Sequence, residues 1–195
     1  MKLIFATNNQ NKIDEIKTSL TAGLEMVTLK EAGINIEIAE PFDTLEENAR
    51  EKATVIFNIT QQNCFSEDTG LEVNALDGEP GVKSARYAGD ETDNKKNIAL
   101  LLKNMEGKEE RSAQFKTVIC LLLNNEEYLF TGICKGRINK EEKGSKGFGY
   151  DAVFTPDGAD KTFAEMNMDE KNIYSHRKKA LVQLIKFLNE HNEQS

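Results

Sequence analysis

Five short stretches of this 195-residue chain gather side chains able to do chemistry. The first is ATNNQNK, residues 6–12, between an apolar KLIF that reads as a strand and IDEIKTSL that reads as a helix. A strand feeding a helix is a natural anion cradle, because the first helical N–H groups and the helix dipole both favour negative charge. Thr7, Asn8, Asn9, Gln10 and Asn11 add polar groups, and Lys12 adds a cation at a helix start, where it needs an anion beside it. Asparagine tolerates left-handed backbone, so Asn8, Asn9 and Asn11 can shape a tight turn without glycine. The same residues also read as an asparagine-rich cap with a solvated lysine, and the Walker A pattern is absent.

The second stretch, SEDTG at 66–70, follows a buried strand and precedes a Thr69-Gly70 turn. Adjacent carboxylates such as Glu67 and Asp68 stay ionised most easily when they share a divalent cation. Mg²⁺ would suit them, since it takes one or two carboxylates plus water and substrate phosphate. The competing reading is an acidic turn capped by Thr69. Glu40, closing INIEIA before Pro41, is either a second metal ligand or a solvated loop glutamate. In KGSKGFGYD, glycines let the backbone approach a ligand, and Phe148 and Tyr150 around Gly149 can present a ring to a flat base. Asp151 could accept from base or ribose; a hairpin with core aromatics is the alternative. In EKNIYSHRKKAL, Lys171, His176 and Arg177 flank a helix start, with donors suited to a purine carbonyl oxygen; an ordinary basic helix surface is the other reading.

Periodicity indicates the elements that must position these groups. INIEIA, 34–39, alternates as a strand does. Thr44 with Glu47 forms a capping box, opening a helix whose buried stripe is Leu45, Ala49, Ala53 and Ile56. Residues 63–66 read as a short strand, LEVNAL alternates, and DGEPG is a turn. A helix is predicted over 92–105, then strands 112–123 and 128–138 joined by NNEE, a strand in AVFTP, and a final helix from Tyr174–Ser175. With no repeat, low-complexity tract or linker, this is a mixed α/β chain with one continuous core.

Composition narrows the possibilities. Apolar residues make up 38% and charged residues 30%, as in a globular protein. A net charge of −8 argues against binding polymeric nucleic acid but not against a small phosphorylated ligand. No apolar run approaches the roughly 20 residues of a membrane span, and no signal peptide is recognised, so a cytoplasmic protein is expected. Cys64, Cys120 and Cys134 are spaced as reduced core thiols, and two histidines with no CxxC argue against structural zinc.

Together these stretches hold the parts for a nucleoside triphosphate: anion cradle, carboxylate metal site, aromatic platform and base-edge donors. ATNNQNKIDEI, TLEENAREKA, SEDTGLEVNALDGEPGVKSARYAG, GFGYDAVF and SHRKKAL also resemble, in order and spacing, the inosine/xanthosine triphosphate pyrophosphatases, over residues 2–188. The resemblance implies hydrolysis of ITP, dITP and XTP to monophosphate and pyrophosphate with Mg²⁺. It implies a single domain over 1–195, elongated and two-lobed around a long mixed sheet with flanking helices, with the active site in the cleft between the lobes, in a homodimer. By position, Thr7 to Lys12 match the triphosphate segment, Glu40 and Asp68 the metal-linked acids, and Asp68 the proton acceptor. Thr69 matches a substrate-contacting hydroxyl, Phe148, Gly149, Tyr150 and Asp151 the base and sugar contacts, and Lys171, His176 and Arg177 the base edge. Ser84, Ala85 and Arg86 fall in the SAR motif, with a supporting or phosphate-facing role for Arg86. Many members have glycine where this chain has Asn8, and aspartate where it has Glu67, the further metal candidate. The rival classes are a non-hydrolysing nucleotide sensor and a phosphoryl or nucleotidyl transferase, told apart by pyrophosphate release with water as the only acceptor.

Overall fold

Leu3, Ile4 and Phe5 are buried and form the first strand, β1 (Lys2–Phe5). The computed structural model describes residues 1–20 and 24–192. Helix α1 (Gln10–Lys17) buries Ile13 and Ile16 as their spacing predicts. Strand β2 (Glu25–Thr28), which no sequence signal announced, pairs parallel with β1. Helix α2 (Leu45–Thr60) starts at the Thr44 cap, whose side chain accepts the Glu47 N–H; the Glu47 carboxylate accepts the Thr44 hydroxyl in return. Its buried stripe contains the expected Leu45, Ala49, Ala53 and Ile56, and adds Asn48 and Lys52. Strand β3 (Cys64–Val73) is followed by β4 (Pro80–Gly81), helix α3 (Asn94–Asn104), strands β5 (Ser112–Leu123), β6 (Glu126–Ile138) and β7 (Phe154–Pro156), and helices α4 (Met168–Tyr174) and α5 (His176–Asn192). The strands form a seven-stranded mixed sheet in the order β2-β1-β3-β5-β6-β7, with β4 on β3.

Several expectations are corrected. Residues 34–39 are not a strand. Their alternation is physical, since Ile34, Ile36 and Ile38 are half-buried and the residues between exposed, but no neighbouring strand pairs with them. One-sided burial produces a period of two even without a ladder. SEDTG is not a turn: it lies inside β3, a ten-residue strand that takes in Thr69 and Gly70. The NNEE loop shortens to Asn124-Asn125, both at positive φ, the two-residue geometry that matches strand twist. The basic segment holds two helices, because Asn167 and Glu170 form a capping box that starts α4.

The chain divides into two compact units. Unit 1 comprises residues 1–68, 117–132 and 177–195; unit 2 comprises 69–116 and 133–176. Among the described residues two apolar clusters stand in place of one continuous core. In unit 1, Phe5 stacks on Phe65 at 4.5 Å, beside Ile16, Leu181 and Leu184 of the helices. In unit 2, Phe115 meets Phe154 edge-on at 4.7 Å, among Leu71, Leu101 and Phe163. Fully burying each such side chain contributes about 1.5–3 kcal/mol. Among the described residues no helix is long and apolar enough to cross a membrane.

Gly136 lets β7 lie against β6. A Cβ there would fall 2.3 Å from the Thr155 carbonyl oxygen and 2.9 Å from Pro156 Cα, both backbone atoms that cannot swing aside. Gly136→Ala should therefore cost about 1–3 kcal/mol from overpacking, seen as a lower thermal midpoint by circular dichroism. A midpoint equal to the parent's would show that β7 shifts without cost.

Candidate active site

Glu67 and Asp68 are adjacent on β3, so their side chains leave opposite faces of the strand. Both are buried, and each meets its own cations. Asp68 Oδ1 accepts from Lys52 Nζ at 2.9 Å, and the same ammonium donates to Glu40 Oε1 at 2.5 Å. Lys52 stands on the otherwise apolar stripe of α2, only 5% exposed. Burial pushes the Asp68 carboxyl above the ordinary aspartate range, against the opposing pull of Lys52. Burial also disfavours the Lys52 charge, but Asp68 and Glu40 outweigh it and hold the ammonium protonated.

On the other face, Glu67 takes Arg177 Nε at 2.7 Å and Nη2 at 3.3 Å, while Lys12 Nζ lies 2.9 Å from Glu67 Oε1. Arg177 Nη1 also donates to Glu15 on α1. Burial alone would raise the Glu67 carboxyl, but Arg177 and then Lys12 hold it far below the usual carboxylate range. Arg177, expected at a base edge, has its guanidinium anchored by these two carboxylates, both within unit 1.

The opening turn is built from side-chain bonds. Asn9 caps α1 by accepting the Lys12 N–H at 3.2 Å, and Thr7 Oγ1 accepts the Asn9 N–H at 3.2 Å. Gln10 Nε2 donates to Asp14, and Asn8 Nδ2 to the Ile36 carbonyl at 2.8 Å. Asn11 is exposed. The left-handed backbone expected of these asparagines is absent: Asn9 has φ −79°, and neither Asn8 nor Asn11 has positive φ.

In unit 2, Asp151 Oδ2 accepts the Phe148 N–H at 3.0 Å and Lys171 Nζ at 2.6 Å. A Cβ on Gly147 would sit 2.0 Å from that same oxygen, so this loop needs glycine there. Lys171 Nζ lies 5.4 Å from the Phe148 ring centroid and 5.2 Å from that of Phe163, within cation–π range. Phe148 and Tyr150 do not extend side by side, since left-handed Gly149 (φ 60°) between them breaks the extended run. Tyr150 is buried and its hydroxyl donates to Ser84 O at 2.9 Å; Phe148 is half-exposed. His176 stacks on Phe115 at 4.7 Å and 13°. Thr69 is half-buried on β3. Ser84 also accepts the Leu71 N–H, while Arg86 is exposed.

Among the described residues no three His, Cys, Asp or Glu side chains converge as a complete metal cage. The donor set nevertheless fits a hard cation bound together with substrate. Glu40 and Asp68 already aim two carboxylate oxygens at one positive charge, the Lys52 ammonium. Mg²⁺ commonly takes two protein carboxylates and completes its shell with phosphate oxygens and water. Lys52 and Glu15 went unnoticed in the sequence reading; a lysine inside the apolar stripe of α2 was the available signal for the first, and Glu15 gave none.

Residues 3–187 match the sequence model of the Ham1 family. The chain belongs to the Ham1 family. A dITP/XTP pyrophosphatase of Christiangramia forsetii is 48% identical over 188 residues, covering 96% of this chain and 99% of the relative. A dITP/XTP pyrophosphatase of Flavobacterium johnsoniae is likewise 48% identical, covering 96% and 98%. The solved Ham1 protein of Staphylococcus aureus superposes with a TM-score of 0.89 at 34% identity, covering 98% of this chain and all of that one.

In this Ham1 chain the Glu67–Arg177 pair can be tested by substitution. Glu67→Gln leaves a buried guanidinium undercompensated and should cost about 3–5 kcal/mol, and Arg177→Met, which strands both Glu67 and Glu15, should cost at least as much. Urea melts of both variants measure this. A single variant as stable as the parent would show that the pair carries no weight.

Proposed function

We propose that this chain hydrolyses non-standard purine nucleoside triphosphates, dITP and XTP among them, to the monophosphate and pyrophosphate. The observation that carries the reading is the pairing of Glu40 and Asp68 on the buried Lys52 ammonium, in a chain 48% identical, nearly end to end, to dITP/XTP pyrophosphatases. Phosphoryl transfer needs positioning and charge neutralisation more than covalent chemistry. Lys12 and the N-terminus of α1, shaped by Thr7 and Asn9, bind the triphosphate. Glu40 and Asp68 are the carboxylates that would hold Mg²⁺, which when bound neutralises charge on the phosphates. Asp68 accepts the proton of the attacking water as the general base.

Lys52 holds the Glu40 and Asp68 carboxylates close together before substrate arrives. Glu67, with both oxygens engaged by Arg177 and Lys12, orients cations in this reading and stands apart from the metal ligands. In unit 2, half-exposed Phe148 offers the ring for a purine, and Lys171, fixed by Asp151, offers a donor. His176, also in unit 2, is the donor proposed for the 6-oxo edge, which adenine lacks, so a buried donor left unpaired is the penalty against ATP; Arg177, engaged by Glu67 and Glu15, is withdrawn from that edge. A homodimer is proposed from the family resemblance. A cytoplasmic setting agrees with three buried cysteines outside any disulfide; burial pushes the Cys64 and Cys120 thiols up to about 12.

Incubation with XTP, dITP or ATP and Mg²⁺, with products separated by ion exchange, tests this. XTP and dITP should yield monophosphate and pyrophosphate, and ATP far less. Asp68→Asn should bind XTP and lose about 10²–10⁴-fold in kcat, the range for a removed general base. Conversion of XTP to the nucleoside diphosphate and inorganic phosphate, or near-parent turnover by Asp68→Asn, would overturn the assignment.

A further inference from the structure

The opening turn and residues 34–40 lie in the same unit. Segment 34–40 carries Glu40 and has no β ladder to hold it. A backbone without a ladder takes its position from its anchors. At its start the Ile34 N–H donates to Leu29 O at 2.8 Å. Beyond its end, buried Asn48 on α2 clasps Phe42 twice: Nδ2 donates to Phe42 O and Oδ1 accepts the Phe42 N–H, both at 3.0 Å. Between these anchors, Asn8 Nδ2 donates to Ile36 O at 2.8 Å.

Asn8 is not what shapes the turn. Its φ is not positive, the helix cap is Asn9, and Thr7 braces Asn9. Its amide reaches 28 residues along the chain, to the segment that ends in Glu40. Glu40 precedes Pro41, so its backbone is confined to extended conformations. Ile36 stands only four positions before Glu40, so where Asn8 holds Ile36 bears directly on where Glu40 lies.

We infer that Asn8 is a positioning residue for Glu40: its side-chain amide clips the ladderless 34–40 segment onto the opening turn and so sets where the Glu40 carboxylate meets Lys52 and Asp68. The inference rests on the proposed role of Glu40 as a metal ligand.

The test uses the full chain, the single variants Asn8→Ala and Glu40→Gln, and the double variant. Mn²⁺ is titrated against each protein holding a non-hydrolysable triphosphate analogue, with the free ion followed by electron paramagnetic resonance. Circular dichroism confirms that each variant is folded. Asn8→Ala should weaken Mn²⁺ binding about two- to tenfold, as expected for one lost hydrogen bond. In the Glu40→Gln background the same substitution should add nothing, because the clip acts through Glu40. A purely structural asparagine would lower the thermal midpoint and leave Mn²⁺ affinity unchanged; that result overturns the inference, as does a loss that adds fully to that of Glu40→Gln. Parent-like Mn²⁺ affinity in Glu40→Gln alone overturns the role of Glu40 and the inference with it, and the single variant makes the two failures distinguishable.

Discussion

Two neighbouring carboxylates on one buried strand cannot share a cation through one face, because successive side chains of a strand leave on opposite sides. A buried charge without a partner costs far more than a domain's net stability can absorb. Each of Glu67 and Asp68 therefore requires a cation delivered from its own side. Helix α2 delivers Lys52 to Asp68; α1 and α5 deliver Lys12 and Arg177 to Glu67. The placement of three helices in unit 1 follows from this single demand of β3. It also explains a lysine on the apolar stripe of α2 and a lysine at a helix start, two positions that local propensity disfavours.

Unit 2 solves a smaller version of the same problem. Asp151 is buried, and its Oδ2 is met by a backbone N–H and the Lys171 ammonium. One oxygen thereby fixes both the shape of the glycine loop and the position of a cation near an accessible aromatic ring. Gly147 is needed for its missing Cβ as much as for its backbone freedom. In each unit a buried carboxylate does the organising, and it holds a lysine assigned to substrate, Lys12 in unit 1 and Lys171 in unit 2.

The sequence made the long helices legible because an apolar stripe at helical spacing reports packing directly, as in α2 and α5. Capping chemistry at Thr44 was equally local and equally legible. Segment 34–39 misled because one-sided burial leaves the same alternation whether or not a strand pairs beside it. SEDTG misled in the opposite sense: threonine and glycine after two acids resemble a turn, and only the burial of Glu67 and Asp68 by distant helices makes them strand residues. The motif residues themselves were visible, but their partners were not. Nothing local joins Arg177 to Glu67, 110 residues away, or Lys52 to Glu40, so the charge pairing that defines the site was beyond reach of a linear reading.

The opening turn shows what asparagine supplies in place of glycine. Glycine would contribute conformational range, but this backbone uses no positive φ at its asparagines. What it uses is amide chemistry: Asn9 closes the helix end, and Asn8 ties down a remote segment. That division matters because the two candidate metal carboxylates are held so differently. Asp68 sits in the middle of the ten-residue strand β3, within the sheet. Glu40 sits on an extended segment held by side chains. A proton acceptor must be placed to within a fraction of an ångström of its water, and a strand provides that. A ligand to an ion that arrives and departs with each substrate gains from adjustable support. On the proposed reading, the rigid element carries the group that does chemistry, and the tethered segment carries the group that must accommodate exchange.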